Sequence, residues 1–559
     1  MNRIQDIKKA LTEQVIQALT KAKAAGSLNF DQIPEFAVEA PRDRQHGDYS
    51  ANVAMLLAKQ TKKSPAIVAK SILDHLNAQA LPWLNQVNTA GTGFINFTLD
   101  PMCFHGVLAE ALTLDQDFGH SDYGQGEKIQ VEFVSANPTG DLHMGNARGA
   151  ALGDSLANVL AAAGWSVSRE YYINDAGNQI ENFGKSLEAR YLQAFGQDAP
   201  VPEEGYHGED LVGTVQRIID REKDRYLLMD SKLRKEFLIQ AALKEKLETI
   251  RGNLADFGVK YDVWFSEQSL HDNGEIQETL DELDKKGLLE RRDGAVWLLT
   301  TRMGDEKDEV VVRANGIPTY FAADIAYHRN KFRRGFRTAV NIWGADHHGH
   351  VARMKQAMGA CGYDPAQLEV LLIQLVRLYS QGQLVRMSKR TGQYVTLSEL
   401  MDEVGKDAAR FFFVMRNPDS HLDFDMDLAK EESNENPVYY VQYAHARIHS
   451  LMKLGRAAIP MNPGSIDFSL LRDPHELELI RKIAELTEEV TEAAIHREPH
   501  RLTRYVMDLA GLFHSFYNAV RVLHEDPALR DARLALADAT RITLRNVLTM
   551  LGVSAPERM

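Results

Sequence analysis

Two segments of the chain combine residue types and spacing suited to work on a phosphorylated ligand. The first is VEFVSANPTGDLHMGNARGAALGDSLANVLAAAG at 131–164. Its apolar start reads as a strand ending at Ser135, Pro138 and Gly140 make a turn, and His143, Met144, Gly145 and Asn146 open a long helix. The free N–H groups and positive dipole end of such a helix start favour an anion. Gly145, Gly149 and Gly153 recur every fourth residue, which strips side chains from one helix face. A flat ligand such as a nucleobase fits there; close packing of the helix on a sheet is the alternative. The second segment, LVRMSKRTGQYVTL at 384–397, is an apolar strand running into a loop with Arg386, Ser388, Lys389 and Arg390, closed by Gly392. Cations beside glycine suit polyphosphate, because they neutralise charge that spreads over oxygens during phosphoryl or nucleotidyl transfer. A solvated basic turn is the plain alternative. Thr396 and Glu399 then have capping-box spacing for a following helix.

Other motifs carry less. Asp346, His347, His348 and His350 are adequate zinc ligands by type. Adjacent histidines diverge in an extended chain, however, and no protein-bound metal is expected. Gly184-Lys185-Ser186 lacks the earlier glycine of a P-loop, since position 179 is Gln, and Gly91-Thr92-Gly93 meets Asn96 where a dinucleotide fingerprint needs Gly. Cys103 and Cys361 are the only cysteines, too few for a disulfide framework.

The elements that must position these loops follow from periodicity. Residues 1–118 mix helical stretches with the alternating strand TGFINFTL, in which Ile95, Phe97 and Leu99 share a face, and form a small α+β module. From 126 to 405 strands alternate with helices, in IQVEFVS, VSREYYI, VVVRANG, AVNIWGAD and QLEVLLIQLVRL, which predicts a parallel α/β sheet. A charged helical insertion spans about 195–255, residues 406–436 form a connecting helical segment, and 437–559 is helical, ending in an amphipathic helix from about Ala528 to Leu551. The 559 residues, 44% hydrophobic and 25% charged, are globular in composition and sufficient for several domains. No run of about 20 apolar residues and no secretory leader is visible, so a soluble cytoplasmic protein is expected. The net charge of −14 excludes a generally basic protein; it lies wholly in 1–436, because 437–559 holds 15 Lys+Arg and 15 Asp+Glu.

These residues resemble the class I aminoacyl-tRNA synthetases, HMGN standing for the "HIGH" signature and RMSKR for "KMSKS". Within that class the chain is similar to the arginyl-tRNA synthetases of bacterial type, through VEFVSANPTGDLHMGN, PTYFAADIAY, WGADHHGH, DAARFFF and NPVYYVQYAHARI. Asn146 replaces the second His of one signature and Arg386 the first Lys of the other. The resemblance implies a Rossmann-like catalytic core between an N-terminal module that contacts tRNA and an all-α anticodon-binding domain. It implies ligation of L-arginine to its tRNA through an arginyl-adenylate, with ATP as substrate, Mg²⁺ as its counter-ion, and a monomer. His143, Asn146, Arg386, Ser388 and Lys389 would be catalytic. Gly145, Gly149, Asp346, His350 and Met387 would join His143, Asn146 and Lys389 around ATP. Glu132, Ser135, Asn137, Tyr320, Asp324 and His347, with His143, would hold arginine. Asp324 follows Tyr320 by four residues and so shares its helical face. On the helical domain, Arg530, Arg533, Arg541 and Arg545 fall on one helix face as a basic stripe for an RNA backbone. Tyr439, Tyr440 and Tyr443 offer stacking surfaces or core. Tyr439, Tyr443, Arg447, Arg541 and Arg545 are the expected tRNA contacts.

Overall fold

A computed structural model describes residues 3–41, 43–385, 394–455 and 463–559. The N-terminal part packs helices α1 (Arg3–Ala24), α2 (Val53–Thr61) and α3 (Pro65–His75) on an antiparallel sheet of order β1-β2-β4-β3. Its strands are β1 (Val38–Glu39), β2 (Tyr49–Ala51), β3 (Leu84–Ala90) and β4 (Phe94–Leu99). Ile95, Phe97 and Leu99 are buried together, as their alternation predicts. Helix α4 (Gly106–Leu114) leads to the centre of the molecule.

There, β5 (Lys128–Glu132), β6 (Ser166–Ile173), β7 (Val263–Ser266), β11 (Thr338–Gly344) and β12 (Leu368–Ile373) form a parallel sheet of order β12-β11-β5-β6-β7. The connections run in opposite directions from β5 and from its neighbour β11. A crevice therefore opens at their carboxyl ends, the place where such sheets bind ligands. Between β5 and β6 runs α5 (Met144–Ala162); α6 (Gly177–Ala194), α7 (Glu209–Glu222) and α8 (Ser231–Asp256) precede β7 and build a satellite core around Phe183, Tyr191 and Leu238. After β7 come α9 (Glu267–Asp272), α10 (Glu275–Lys285), β8 (Leu289–Arg292), β9 (Ala295–Leu298), β10 (Glu309–Val312), α11 (Tyr320–Arg333) before β11, and α12 (His348–Cys361) after it.

The sequence pattern misplaces three strands. VVVRANG lies not in the parallel sheet but in a small antiparallel one, β10-β9-β8. QLEVLLIQLVRL splits into β12 and β13 (Val376–Ser380), the latter pairing with β14 (Gln383–Val385) and β15 (Leu422–Asp425). The four-residue β7 completes the parallel sheet from a stretch too short to show a period.

Helices α13 (Leu397–Val404), α14 (Lys406–Val414) and α15 (Met426–Lys430) connect to the helical part: α16 (Pro437–Leu454), α17 (Pro474–Ala484), α18 (Leu486–His496), α19 (His500–Ala519) and α20 (Pro527–Met550). The starts obey local chemistry. Thr396 and Glu399 make the expected capping box on α13, and Asn436-Pro437 and Asp526-Pro527 cap α16 and α20 with proline in the first turn. One continuous apolar core runs from α1 through α5 into α20. Among the described residues no helix is long and apolar enough to cross a membrane.

Candidate active site

The start of α5 is built by its own sequence. His143 is extended (φ −103°, ψ 173°) and caps the helix: its Nδ1 accepts the Gly145 N–H at 3.1 Å, while the Asn146 Oδ1 accepts the His143 N–H at 3.1 Å. HMGN is thus a capping box in which the asparagine takes the reciprocal position. With Nδ1 an acceptor, the neutral ring carries its proton on Nε2, and burial pushes the His143 pKa down, so the ring enters the cavity as a neutral donor. The glycine face divides by depth. A Cβ on Gly153 would lie 2.2 Å from the Phe133 ring, so Gly153 serves helix–sheet packing; on Gly149 it would only touch Ile373, at 3.4 Å.

The two signature segments meet through backbone. His143 bridges to Thr396, Met144 N–H donates to Val395 (3.3 Å) and Leu397 N–H to Leu142 (2.8 Å), so the chain leaving the second signature pairs with the first. The Tyr394 ring stands 6.2 Å from that of His143. Arg386, Met387, Ser388 and Lys389 lie outside the described residues.

In front of His143 a cavity of about 670 Å³ opens at the crevice of the sheet. Glu132, Ser135, Asn137, His143 and Asn146 line one side; Tyr320, Asp324, His347 and His350 line the other. Gly145, Gly149 and Asp346 do not line it. Asp346 and His347 are mostly exposed, 3.5 Å apart, whereas His350 turns inward, its Nε2 3.1 Å from the Asp324 carboxylate. The four ligand types of the DHHGH run therefore do not converge, and the described residues hold no group of three that could bind a metal ion.

The carboxylates of the cavity fall into two kinds. Glu132 is buried and internally satisfied: one oxygen accepts from Lys331, itself fully buried, and the other from the Ser135 hydroxyl (3.0 Å), while the Tyr327 hydroxyl is shared between Glu132 (3.1 Å) and Glu170 (2.8 Å). Glu132 is expected as an arginine ligand, yet its charge is already balanced by Lys331. The turn that sets Ser135 uses two consecutive left-handed non-glycine residues, Val134 (φ +69°) and Ser135 (φ +42°). Such strain, about 1–3 kcal/mol per residue, persists at sites where neighbours over-determine the backbone; here the Ser135 hydroxyl also accepts the Tyr172 N–H (3.1 Å).

Asp324 and Glu267 are different. Thr319 caps α11 through the Ala322 N–H, which places Tyr320 and Asp324 on its first turns. Glu267 begins α9 at the end of β7, its side chain almost fully buried and bonded to the Tyr172 hydroxyl. Burial, reinforced by the charges of Asp324 and Asp175, pushes its pKa up to about 7. The basic groups within ion-pair reach of these two carboxylates, among the described residues, are histidines: His350 for Asp324 and His271, at 4.0 Å, for Glu267. An adjacent pair of acids without Lys or Arg wants a cation. Sequence reasoning missed Glu267, Tyr172 and Lys331. Tyr172 sat in a recognised strand, but Glu267 follows a strand that periodicity does not reveal.

On the helical part, Tyr439 and Tyr443 stack (6.2 Å, 5°), and the Arg447 guanidinium lies over Tyr443 (5.8 Å) and Tyr517 (4.0 Å). The arginine stripe of α20 is not a free basic surface. Arg530 pairs with Asp531 (3.0 Å), Arg533 with Glu476 (2.7 Å), Arg541 with Asp538 (2.7 Å) and Arg545 with Asp115 after α4 (2.8 Å). The helical wheel shows direction only; Asp531 and Asp538 lie on α20 itself, while Glu476 and Asp115 come from distant segments.

A parallel sheet whose crevice holds a histidine-capped helix start, joined by backbone to residues 395–397, defines the catalytic core of a class I aminoacyl-tRNA synthetase. Residues 108–426 match the family model for tRNA synthetases class I (R), catalytic domain. Residues 6–99 match the arginyl tRNA synthetase N terminal domain, and 441–559 the DALR anticodon binding domain. The chain is 60% identical over 561 residues to the arginine–tRNA ligase of Moorella thermoacetica, covering 100% of both. It is 58% identical over 565 residues to that of Heliobacterium modesticaldum, again with 100% of each covered. Its fold matches the Thermus thermophilus arginyl-tRNA synthetase with a TM-score of 0.75 at 24% identity, over 99% of this chain and 100% of that one. The chain belongs to the arginyl-tRNA synthetase family.

Proposed function

We infer that the chain ligates L-arginine to its cognate tRNA, using ATP, through an arginyl-adenylate, with release of pyrophosphate and then AMP. The observation that carries the reading is the pair Asp324 and Glu267 in a cavity shared with the neutral donor His143. Two carboxylates facing histidines only suit a planar, permanently charged guanidinium, which forms paired hydrogen bonds that an ammonium cannot reproduce. Tyr320 flanks that end; Ser135, Asn137 and His347 stand where the α-amino and carboxylate ends would reach, and Glu132, balanced by Lys331, shapes the floor.

In the first step the arginine carboxylate oxygen attacks the α-phosphorus of ATP in line. The new C–O–P bond forms as the bond to the β-phosphate oxygen breaks, and charge leaves on pyrophosphate. A carboxylate is already a nucleophile, so the protein positions and neutralises. His143 Nε2 donates to phosphate oxygens, Asn146 and His350 border the nucleotide from the cavity, Gly145, Gly149, Asp346 and Met387 would frame it beyond that lining, and Arg386, Ser388 and Lys389 follow the charge onto the leaving group. Mg²⁺ would accompany ATP as its counter-ion and neutralise phosphate charge. In the second step the 2′-hydroxyl of the terminal adenosine attacks the adenylate carbonyl, releasing AMP. Residues 437–559 bind tRNA, with exposed Tyr443 and half-buried Tyr439 and Arg447 as the candidates, and the enzyme acts as a cytoplasmic monomer. Pyrophosphate exchange into ATP across a panel of amino acids, with and without tRNA, tests the reading. Arginine alone should support exchange; another amino acid, or none, would overturn it.

A further inference from the structure

The carboxyl end of α20 is seated on the catalytic helix, not left to solvent. Ser155 and Asn158 of α5 reach it directly: the Ser155 hydroxyl donates to the Leu551 carbonyl (3.2 Å) and the Asn158 amide to the Met550 carbonyl (3.1 Å). The third tie is Arg410 of α14, completely buried. Its Nε and Nη2 both donate to the Leu551 carbonyl (3.1 Å each), Nη2 also to Asp154 of α5 (2.6 Å), and Nη1 to the Phe257 carbonyl at the end of α8 (3.1 Å). The chain turns off α20 at Gly552 (φ +68°), where a Cβ would lie 2.0 Å from the guanidinium. Terminal carbonyls lack partners within their own helix and carry the negative end of its dipole, so a buried guanidinium between them and a carboxylate is matched on both sides. Arg169 of β6 closes the arrangement, donating to Asn158 (2.6 Å) beside Asp154.

The same α5 begins at His143, eleven residues and about 16 Å before Asp154 along the helix axis. We infer that Arg410 is a positioning residue through which the helical domain sets the catalytic helix, so that tRNA held on that domain is felt at His143. From Ala147 to Ala162 the helix is buried at all but Asn158 and Ala161 and cannot bend there without breaking packing, so displacement at Asp154 is carried to the first turn that follows His143. The joint uses directional bonds to two backbone carbonyls, which fix height and rotation, where apolar packing alone would fix neither. The inference rests on the arginine-activation reading above.

The test compares Arg410→Lys, which keeps the charge but not the fork, with the milder pair Ser155→Ala and Asn158→Ala, which removes single bonds. For each, tRNA affinity, thermal midpoint and the exchange rate at saturating tRNA are measured well below the midpoint. The expected result is tRNA Kd within roughly threefold of wild type and a saturating rate lower by about tenfold for Arg410→Lys, with a smaller loss of the same kind in the pair. A folded variant whose midpoint drops while its saturating rate stays within about twofold would show an adhesive role only and overturn the inference. So would a rate loss matched by an equal loss of tRNA affinity. If Arg410→Lys does not fold, the Ser155/Asn158 pair decides. Wild type lacking arginine-dependent exchange would sink the functional reading instead.

Discussion

Asp324→Asn preserves size and removes one of the two negative charges offered to the guanidinium. Asp324 is one-third exposed, so solvent screens part of the loss, and kcat/KM for arginine should fall by about 2–3 kcal/mol equivalent, roughly 30- to 150-fold, with ATP binding nearly unchanged. Steady-state kinetics with each substrate varied checks this, and an unchanged arginine KM and turnover would place the guanidinium elsewhere. Glu267 makes a pH prediction. Its carboxyl is half-protonated near pH 7 in the free protein, and only the ionised form pairs with arginine, so binding lowers its pKa and releases a proton. Arginine affinity should therefore rise from pH 6 to 8, by at most about tenfold per pH unit below the transition, and level off above it. Glu267→Gln should bind arginine weakly at every pH and lose the slope; a slope retained in that variant would assign the proton to another group. Neither acid is recognisable by type alone among 78 Asp and Glu. Asp324 stands out through its four-residue spacing from Tyr320 within a motif, whereas Glu267 acquires meaning only from the fold, which brings it to the same cavity from more than 50 positions away.

At the scale of elements, the strand-loop-helix unit around His143 is legible because strand, turn and cap residues all lie within one local stretch. The limits of that legibility are physical. An apolar run as short as VVV fits a strand of either sheet, so VVVRANG cannot announce its partners, and the four residues of β7 are too few to display an alternation. The glycine face of α5 likewise looks uniform in sequence and is not. Gly153→Ala should clash with Phe133 and destabilise by about 1–3 kcal/mol, lowering the thermal midpoint. Gly149→Ala adds a methyl in ordinary contact with Ile373 and should be neutral or stabilising by up to about 1 kcal/mol, because alanine is the better helix former. Calorimetry of the two variants separates packing from propensity, and equal midpoints would show that the clash is relieved by movement of Phe133.

For the whole molecule, the charge of −14 means that a polyanion can be held only through local surfaces, and the structure changes which surfaces qualify. Arg541 and Arg545 are committed to Asp538 and Asp115, the second tying the last helix to the end of the N-terminal module. Arg447, lying over Tyr443 and Tyr517, has cation–π partners and a half-buried stem; among the described residues it makes no ion pair within 4.0 Å. Its charge is thus available to a phosphate beside the exposed edge of the Tyr439–Tyr443 stack, the pairing of cation and aromatic ring that single-stranded RNA loops use. Arg447→Glu should weaken tRNA binding and flatten the dependence of log Kd on log salt by about one unit, with arginine specificity and thermal midpoint little changed. Arg545→Glu should behave differently: a second carboxylate opposite Asp115 loosens the joint between modules and lowers the midpoint first, with any loss of tRNA affinity following from it. Titration from low to moderate salt, beside thermal unfolding of both variants, distinguishes them. If Arg545→Glu left the midpoint intact yet reduced the salt slope while Arg447→Glu did not, the RNA would run along α20 and the Tyr443 surface would be a packed face with no nucleic-acid role.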